Sequence, residues 1–362
     1  MFSTRNIPAT FPTFNVVKKI SRRSVLPILG AGLFAPFIAR SVSALPDVST
    51  NLQFPHALSK GDLVGICSPA GANHDPKEVS DFIALLENFG YRVKVSGNLQ
   101  SKFGYLSDTD EARAKAFMGL IHDQEVKAIF FTRGGWGCAR ILPLLDFNAI
   151  QKNPKIILGF SDISAFLVAI THKTGLITFH GPNGNASWGA FSWDSIQKTI
   201  AQGEFSTLVN DDPLRYPSPP VCIRSGSARG TLYGGNLSVL TGLLGTEYLP
   251  DWKGKILFLE EVNEEPYRID RMLTQWKLNG VFEQLEGVVI GQFRKCIAED
   301  PKWSFTLEEV LNQHFKDAKF PVFSGFLCGH ITDKFTLPIG QLVEMNADAF
   351  SITPMRASVT LL

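Results

Sequence analysis

The sequence predicts an α/β protein: a parallel sheet covered by helices on both faces, followed by a second, smaller α/β region. Three observations carry that expectation. Short apolar, strand-like runs alternate with amphipathic helical segments from Asp62 onward. The 362 residues exceed what one hydrophobic core usually serves, which favours two domains, 45–207 and 228–362. Between them, from about Leu208 to Ser227, the chain turns proline- and serine-rich ("DDPLRYPSPPVCIRSGS") and reads as a linker.

The elements follow in order. Asp62–Cys67 ("DLVGIC") reads as a buried strand that stops at Ser68-Pro69-Ala70-Gly71. Asp75 then precedes Pro76, with Glu78 three residues on: an N-cap, a first-turn proline and a capping-box acid. The helix they open carries Val79, Phe82, Ile83, Leu86 and Phe89 on one face and ends at Gly90. A strand over Tyr91–Val95, a helix around Glu111–Ile121 and a strand over Ala128–Thr132 repeat the pattern. After Arg133-Gly134-Gly135-Trp136-Gly137 come a helix near Cys138–Leu145 and a strand over Lys155–Leu158. On such a Rossmann-like sheet, ligands bind beyond the carboxyl ends of the strands, where the glycine-rich turn and Ser161 both fall. Past the linker, Lys255–Leu259 reads as a strand, Tyr267–Leu278 as a helix and Gly287–Ile290 as another strand. No internal repeat is evident.

Composition narrows the function classes. With 35 basic against 34 acidic side chains and no basic run interleaved with aromatics, nothing points to a nucleic-acid partner. The five cysteines (Cys67, Cys138, Cys222, Cys296, Cys328) are odd in number and lack CxxC spacing, which argues against a zinc site or a disulfide framework. No metal and no cofactor are expected. Residues 1–44 stand apart: a basic stretch, an apolar run from Val25 to Ala39, and Val42-Ser43-Ala44 as a small-residue cleavage site. Ser21-Arg22-Arg23-Ser24-Val25-Leu26 resembles a twin-arginine export signal, so a periplasmic protein beginning near Leu45 is expected. An uncleaved membrane anchor is the alternative, and the shortness of the apolar run weighs against it.

Several residues could carry chemistry. Ser161, in "ILGFSDISAF", sits between a strand-like and a helix-like run. It is either a helix cap or a nucleophile whose oxyanion would meet helix-end amides such as that of Asp162. The segment is not the G-x-S-x-G elbow, because Ile163 stands where the second glycine would be. The RGGWG turn could offer a second oxyanion donor or be a plain tight turn. Glu260 and Glu261 end the apolar strand "KILFL", where a carboxylate can fix the tautomer of a histidine. Arg268 and Arg271 follow and could pair with those acids or with a substrate carboxylate. Among seven histidines, His330 follows Gly329 in a polar loop, with His180 in "TFHGPNG" as its rival.

Together, "SPAG", "RGGWGCARILPLLD", "GFSDISAF", "HGP", "GGNLSVL", "GKILFLEEVNEEPYRIDRMLTQW", "GVVIGQF" and "GHITDKFTLPIG" resemble the LD-carboxypeptidase (muramoyltetrapeptide carboxypeptidase) family of serine peptidases, in the family's order from Asp62 to Gly340. The resemblance implies Ser161 as nucleophile, Glu260 as triad acid and His330 as base. It puts the oxyanion donors on the amides of Asp162 and a glycine of the turn, Gly135 in preference to Gly134. It further implies a site in the cleft between the two domains, a homodimer, and a murein stem peptide or muropeptide as substrate. The substrate's terminal carboxylate would be held by Arg133 or, less favourably, Arg271. Two departures stand out: Trp136 replaces the more usual tyrosine, and Thr332-Asp333-Lys334 follows His330 where proline and asparagine are common. Specificity would lie in loops such as that of Trp188 and Trp193. Relatives resembling microcin C immunity peptidases, which cleave peptidyl-nucleotide conjugates, are the main alternative. An α/β-hydrolase esterase and a non-catalytic exported solute-binding protein are more remote ones.

Overall fold

The computed structural model describes residues 52–210 and 212–361. Residues 1–44, read from the sequence as an export signal, lie outside them.

The fold is α/β, built on two sheets. In the first, β1 (Leu63–Cys67), β2 (Arg92–Val95), β3 (Val126–Phe131), β4 (Ile156–Gly159) and β5 (Thr178–His180) run parallel in the order 2-1-3-4-5. The crossovers hold α1 (Pro76–Asn88), α2 (Asp110–His122), α3 (Cys138–Ile141) with α4 (Phe147–Lys152), and α5 (Ser164–Thr174). Strand side chains alternate between two cores, as a period of two requires. Val64, Ile66, Ala128 and Phe130 pack with Phe82 and Leu86 of α1, whereas Cys67, Ile129 and Phe131 pack with Phe117 and Ile121 of α2 and with α5. Strands covered on both faces need apolar residues at every position, which is why these runs looked continuously hydrophobic.

Local chemistry sets the element ends. Asp75 accepts a hydrogen bond from Lys77 N (2.8 Å) and Pro76 opens α1, but Glu78 does not return the reciprocal bond of a capping box. The helix anticipated over Cys138–Leu145 is α-helical only to Ile141 and tightens into a 3-10 turn at Leu142–Leu144, because Pro143 has no N–H to donate. Asp146 caps α4 through Ala149 N (3.0 Å).

After α6 (Ala190–Ile196), the second sheet takes β6 (Val221–Arg224), β7 (Ser227–Asn236), β8 (Lys255–Val262), β9 (Gly287–Arg294) and β10 (Val322–Ser324). The helices α7 (Leu237–Thr241), α8 (Pro266–Leu278) and α9 (Leu307–Phe315) lie between them in sequence. β7, β8, β9 and β10 are parallel neighbours, while β6 and β12 (Leu342–Asn346) pair antiparallel to them and β13 (Ser351–Pro354) pairs with β12. Two details were not visible in the hydrophobic pattern. β6 forms inside the stretch read as a linker, and β11 (Leu337–Ile339) returns to pair antiparallel with β5 in the first sheet. Among the described residues, the second sheet has seven strands against six in the first.

α5 joins the two halves. It is buried from Ser164 through Thr171, packing on β4 and β5 on one side and on β7 and α7 on the other. A helix apolar all round is a core helix, and a single hydrophobic cluster runs from Phe117 through Phe166 to Phe258 and Val289.

Candidate active site

In the first sheet the strand order reverses between β1 and β3, which opens a crevice beyond their carboxyl ends. The loops after β1, β3 and β4 meet there. Gly71 N, after β1, donates to Gly134 O, after β3 (3.1 Å). A Cβ on Gly134 would lie 2.8 Å from both Cβ and Oγ of Ser161, after β4, and 3.2 Å from Asp162 N. Only glycine permits that approach.

Ser161 has φ +63°, in the left-handed region that a residue with a Cβ enters at a cost of about 1–3 kcal/mol. The surroundings hold it there. Asn183 grips both backbone groups of the preceding residue, accepting from Phe160 N (3.1 Å) and donating to Phe160 O (3.1 Å). Asp162, fully buried, accepts from Cys138 N (2.8 Å) and so ties the serine turn to the start of α3. Burial pushes the Asp162 carboxyl up to about 6. Arg113, itself buried and paired with Asp110 (2.5 Å), donates to Gly137 O (3.0 Å) and to Pro69 O, fixing the far side of the glycine turn.

Two backbone amides are thereby left facing outward. The bond to Gly134 O fixes the Gly134–Gly135 peptide, and a trans peptide then points Gly135 N–H away from Gly71. Neither Gly135 N nor Asp162 N has a backbone carbonyl partner among the described residues, and Gly135 and Ser161 line one cavity. These are the two amides singled out in the sequence.

The second sheet supplies the other groups. β7 and β8 are in register with Asn236 opposite Glu260, and Glu260 is completely buried. Its Oε2 lies 2.7 Å from His330 Nδ1. Gly329, at φ +106°, makes that contact possible, since a Cβ there would sit 2.7 Å from the same oxygen. Burial alone would push the Glu260 carboxyl up, but the charge and hydrogen bond of His330 outweigh it and hold it below its ordinary value. Burial likewise disfavours charge on His330, and Glu260 more than compensates, raising the imidazole above 6.5. With Nδ1 engaged, Nε2 is the nitrogen left for the cavity. Glu261 is spent structurally, accepting from Asn236 Nδ2 (3.0 Å), Ser238 N (2.8 Å) and Val262 N (2.8 Å).

Ser161 and His330 line the same cavity, of about 610 Å³, without hydrogen bonding to each other. His180, the rival base, is fully buried between Phe160 and Phe258 (ring centroids 6.1 and 5.1 Å) and does not line it. Burial drives its pKa down to about 4. Arg133 does line the cavity: it donates to Ala72 O (3.0 Å), and its buried Nε has no partner among the described residues. Arg271 is a correction, because it is exposed on α8 and outside the lining. The pattern of α8 explains this: Ile269, Leu273 and Trp276 mark the inward face, and Arg271 falls on the other. Trp188 and Trp193 also lie outside the lining; Trp193 stacks on Phe89 (3.5 Å) and Trp188 meets Phe82 at a tilt (5.6 Å), both half-buried against the core beneath α1. Sequence reasoning missed Asn183, Arg294 and Lys334, all of which line the cavity.

The arrangement fits acyl transfer: a hydroxyl on a strained turn, two unpaired amides beside it, and a histidine oriented by a buried carboxylate. Two family models match the chain, the LD-carboxypeptidase N-terminal domain over residues 64–181 and the LD-carboxypeptidase C-terminal domain over 229–345. The chain therefore belongs to the LD-carboxypeptidase family of peptidases. It is 38% identical over 295 residues to a probable murein peptide carboxypeptidase of Bacillus subtilis, covering 81% of this chain and 91% of that one. It is 30% identical to the microcin C7 self-immunity protein MccF of Escherichia coli, over 82% of this chain and 94% of that protein. Among solved structures it resembles MccF in complex with glutamyl sulfamoyl guanosine (TM-score 0.77, 27% identity, 85% of this chain and 99% of that one). It also resembles muramoyltetrapeptide carboxypeptidase from Oxalobacter formigenes (TM-score 0.70, 28% identity, 80% and 97%).

Proposed function

We propose that the protein is a serine LD-carboxypeptidase that releases the terminal D-alanine from murein tetrapeptide, in peptidoglycan turnover or remodelling. The observation that carries this reading is the pair of buried Glu260 and half-buried His330, 2.7 Å apart, opening onto the cavity where Ser161 is held at positive φ. His330 Nε2 takes the Ser161 proton as Oγ bonds to the scissile carbonyl carbon. The amides of Gly135 and Asp162 stabilise the oxyanion, and Glu260 steadies the imidazolium. The C–N bond breaks as His330 returns the proton to the departing D-amino acid. A water deprotonated by His330 then hydrolyses the acyl-serine. Arg133 holds the terminal carboxylate. Residues 1–44 direct export to the periplasm, where murein lies, and the working form is a homodimer. Similarity to the microcin immunity protein supports a second reading, cleavage of peptidyl-nucleotide conjugates by the same groups.

The test is mass spectrometry of disaccharide-tetrapeptide incubated with the protein and with Ser161→Ala. Loss of one D-alanine with the wild type alone is expected. An unchanged tetrapeptide alongside a cleaved peptidyl-nucleotide would move the assignment to the second reading.

A further inference from the structure

Among the described residues, three cations line the cavity, Arg133, Arg294 and Lys334, and no aspartate or glutamate does. None of the three forms an ion pair among the described residues. Lys334 is the informative one. It is 1% exposed, yet its ammonium has no hydrogen-bond acceptor among the described residues and sits 5.3 Å over the ring of Phe160, the residue preceding Ser161. The His330 imidazole lies 4.8 Å from the same ring. The Lys334 backbone is anchored: its N–H donates to Ser192 Oγ (3.0 Å), and that hydroxyl donates to Thr332 O (3.1 Å). The neighbouring Asp333 turns instead toward Arg215 (3.6 Å).

A buried cation without an ion-pair partner is unfavourable, and the more distant charges of Glu260 and Asp333 together with the π-face offset only part of its lost hydration. Desolvation accordingly lowers the Lys334 ammonium to about 8. A rigid, desolvated, unpaired charge beside the reacting centre is complementary to an anion that arrives with the ligand. Arg133 suffices for one terminal carboxylate, so a further cation implies a further anion.

We propose that Lys334 is a specificity-determining residue that binds a second anionic group of the substrate, a carboxylate on the residue preceding the scissile bond. This rests on the LD-carboxypeptidase reading and narrows it to peptides that are acidic at that position.

The test compares two tetrapeptides that differ by one carboxylate, with diaminopimelate or lysine before the terminal D-alanine. They are assayed with the wild type, Lys334→Met and Lys334→Arg. The wild type is expected to favour the diaminopimelate peptide in kcat/KM by about ten- to a hundredfold, the scale of one charged hydrogen bond. Lys334→Met should reduce that preference to about twofold or less, chiefly through KM for the diacid peptide, and Lys334→Arg should restore part of it. Equal use of both peptides by the wild type, or an unchanged ratio in Lys334→Met, overturns the role of Lys334 and leaves the carboxypeptidase reading standing. If neither peptide is cleaved, that reading falls, and calorimetric titration with inorganic phosphate decides on Lys334 alone. Saturable binding lost in Lys334→Met sustains the anion site, and the same binding in both proteins removes it.

Discussion

Two cavities of the molecule differ in what lines them. The larger, about 740 Å³, lies among β9, α8 and α9 and is walled by apolar groups such as Pro266, Ile290, Phe293 and Leu311. Its one strongly shifted group is Cys296, pushed up to about 12 by burial and thus an inert thiol at neutral pH. The smaller, about 610 Å³, gathers Ser161, His330, the glycine turn and three unpaired cations. The roomier of the two is therefore not the one equipped for chemistry. Strain, unpaired amides and an oriented histidine distinguish a site built for chemistry from a gap between packed elements.

The sharpest way to break this contrast is to remove Ser161. Ser161→Ala should lower kcat by at least about 10⁴-fold, as loss of a triad nucleophile does, with the melting temperature little changed because alanine keeps the Cβ and with it the backbone strain. Comparing steady-state kinetics with a thermal melt checks both. Glu260→Gln should cost about 10³–10⁴-fold, since the amide can hold the imidazole in the wrong tautomer. In the wild type, Glu260 raises His330, and the base works only when neutral. The acid limb of kcat/KM should therefore rise through a value above 6.5, and in Glu260→Gln it should move to lower pH; a pH–rate profile of each reads the sign. Gly134→Ala should cost about 10²-fold in kcat, because the new Cβ would stand 2.8 Å from Ser161 Oγ and displace it. At the small end, Ile297→Ser, on the exposed rim of the larger cavity, should change kcat/KM less than about twofold and stability within about 0.5 kcal/mol. A large loss of activity there would assign the chemistry to the wrong cavity.

Much of this was legible in the sequence where the determinant is local. The β–α alternation, the Asp75-Pro76 start and the turns after β1, β3 and β4 are short-range signals, and they placed the parallel sheet and its crevice. Ser161, Glu260 and His330 were candidates from the residues around each, and only the family resemblance singled them out as a set. Their spacing in space was not, because Glu260 and His330 are 70 positions apart and meet only through the register of β8 and the turn at Gly329. β11 was invisible because three residues, Leu337–Ile339, are too few to show a period, and their partner β5 lies more than 150 residues back. Lys334 gave no signal, since a lysine in a polar loop reads as solvated until the fold buries it. Arg271 misled in the opposite sense: it is near the acids in sequence, but the helical repeat turns it outward.

The most direct measurement is intact-protein mass spectrometry after reaction with a fluorophosphonate, with peptide mapping of the adduct. One adduct on Ser161, absent from Ser161→Ala and slowed in His330→Ala, is the predicted result. A folded, active protein that takes no label, or takes it at another residue, would contradict the assignment of Ser161 as the nucleophile.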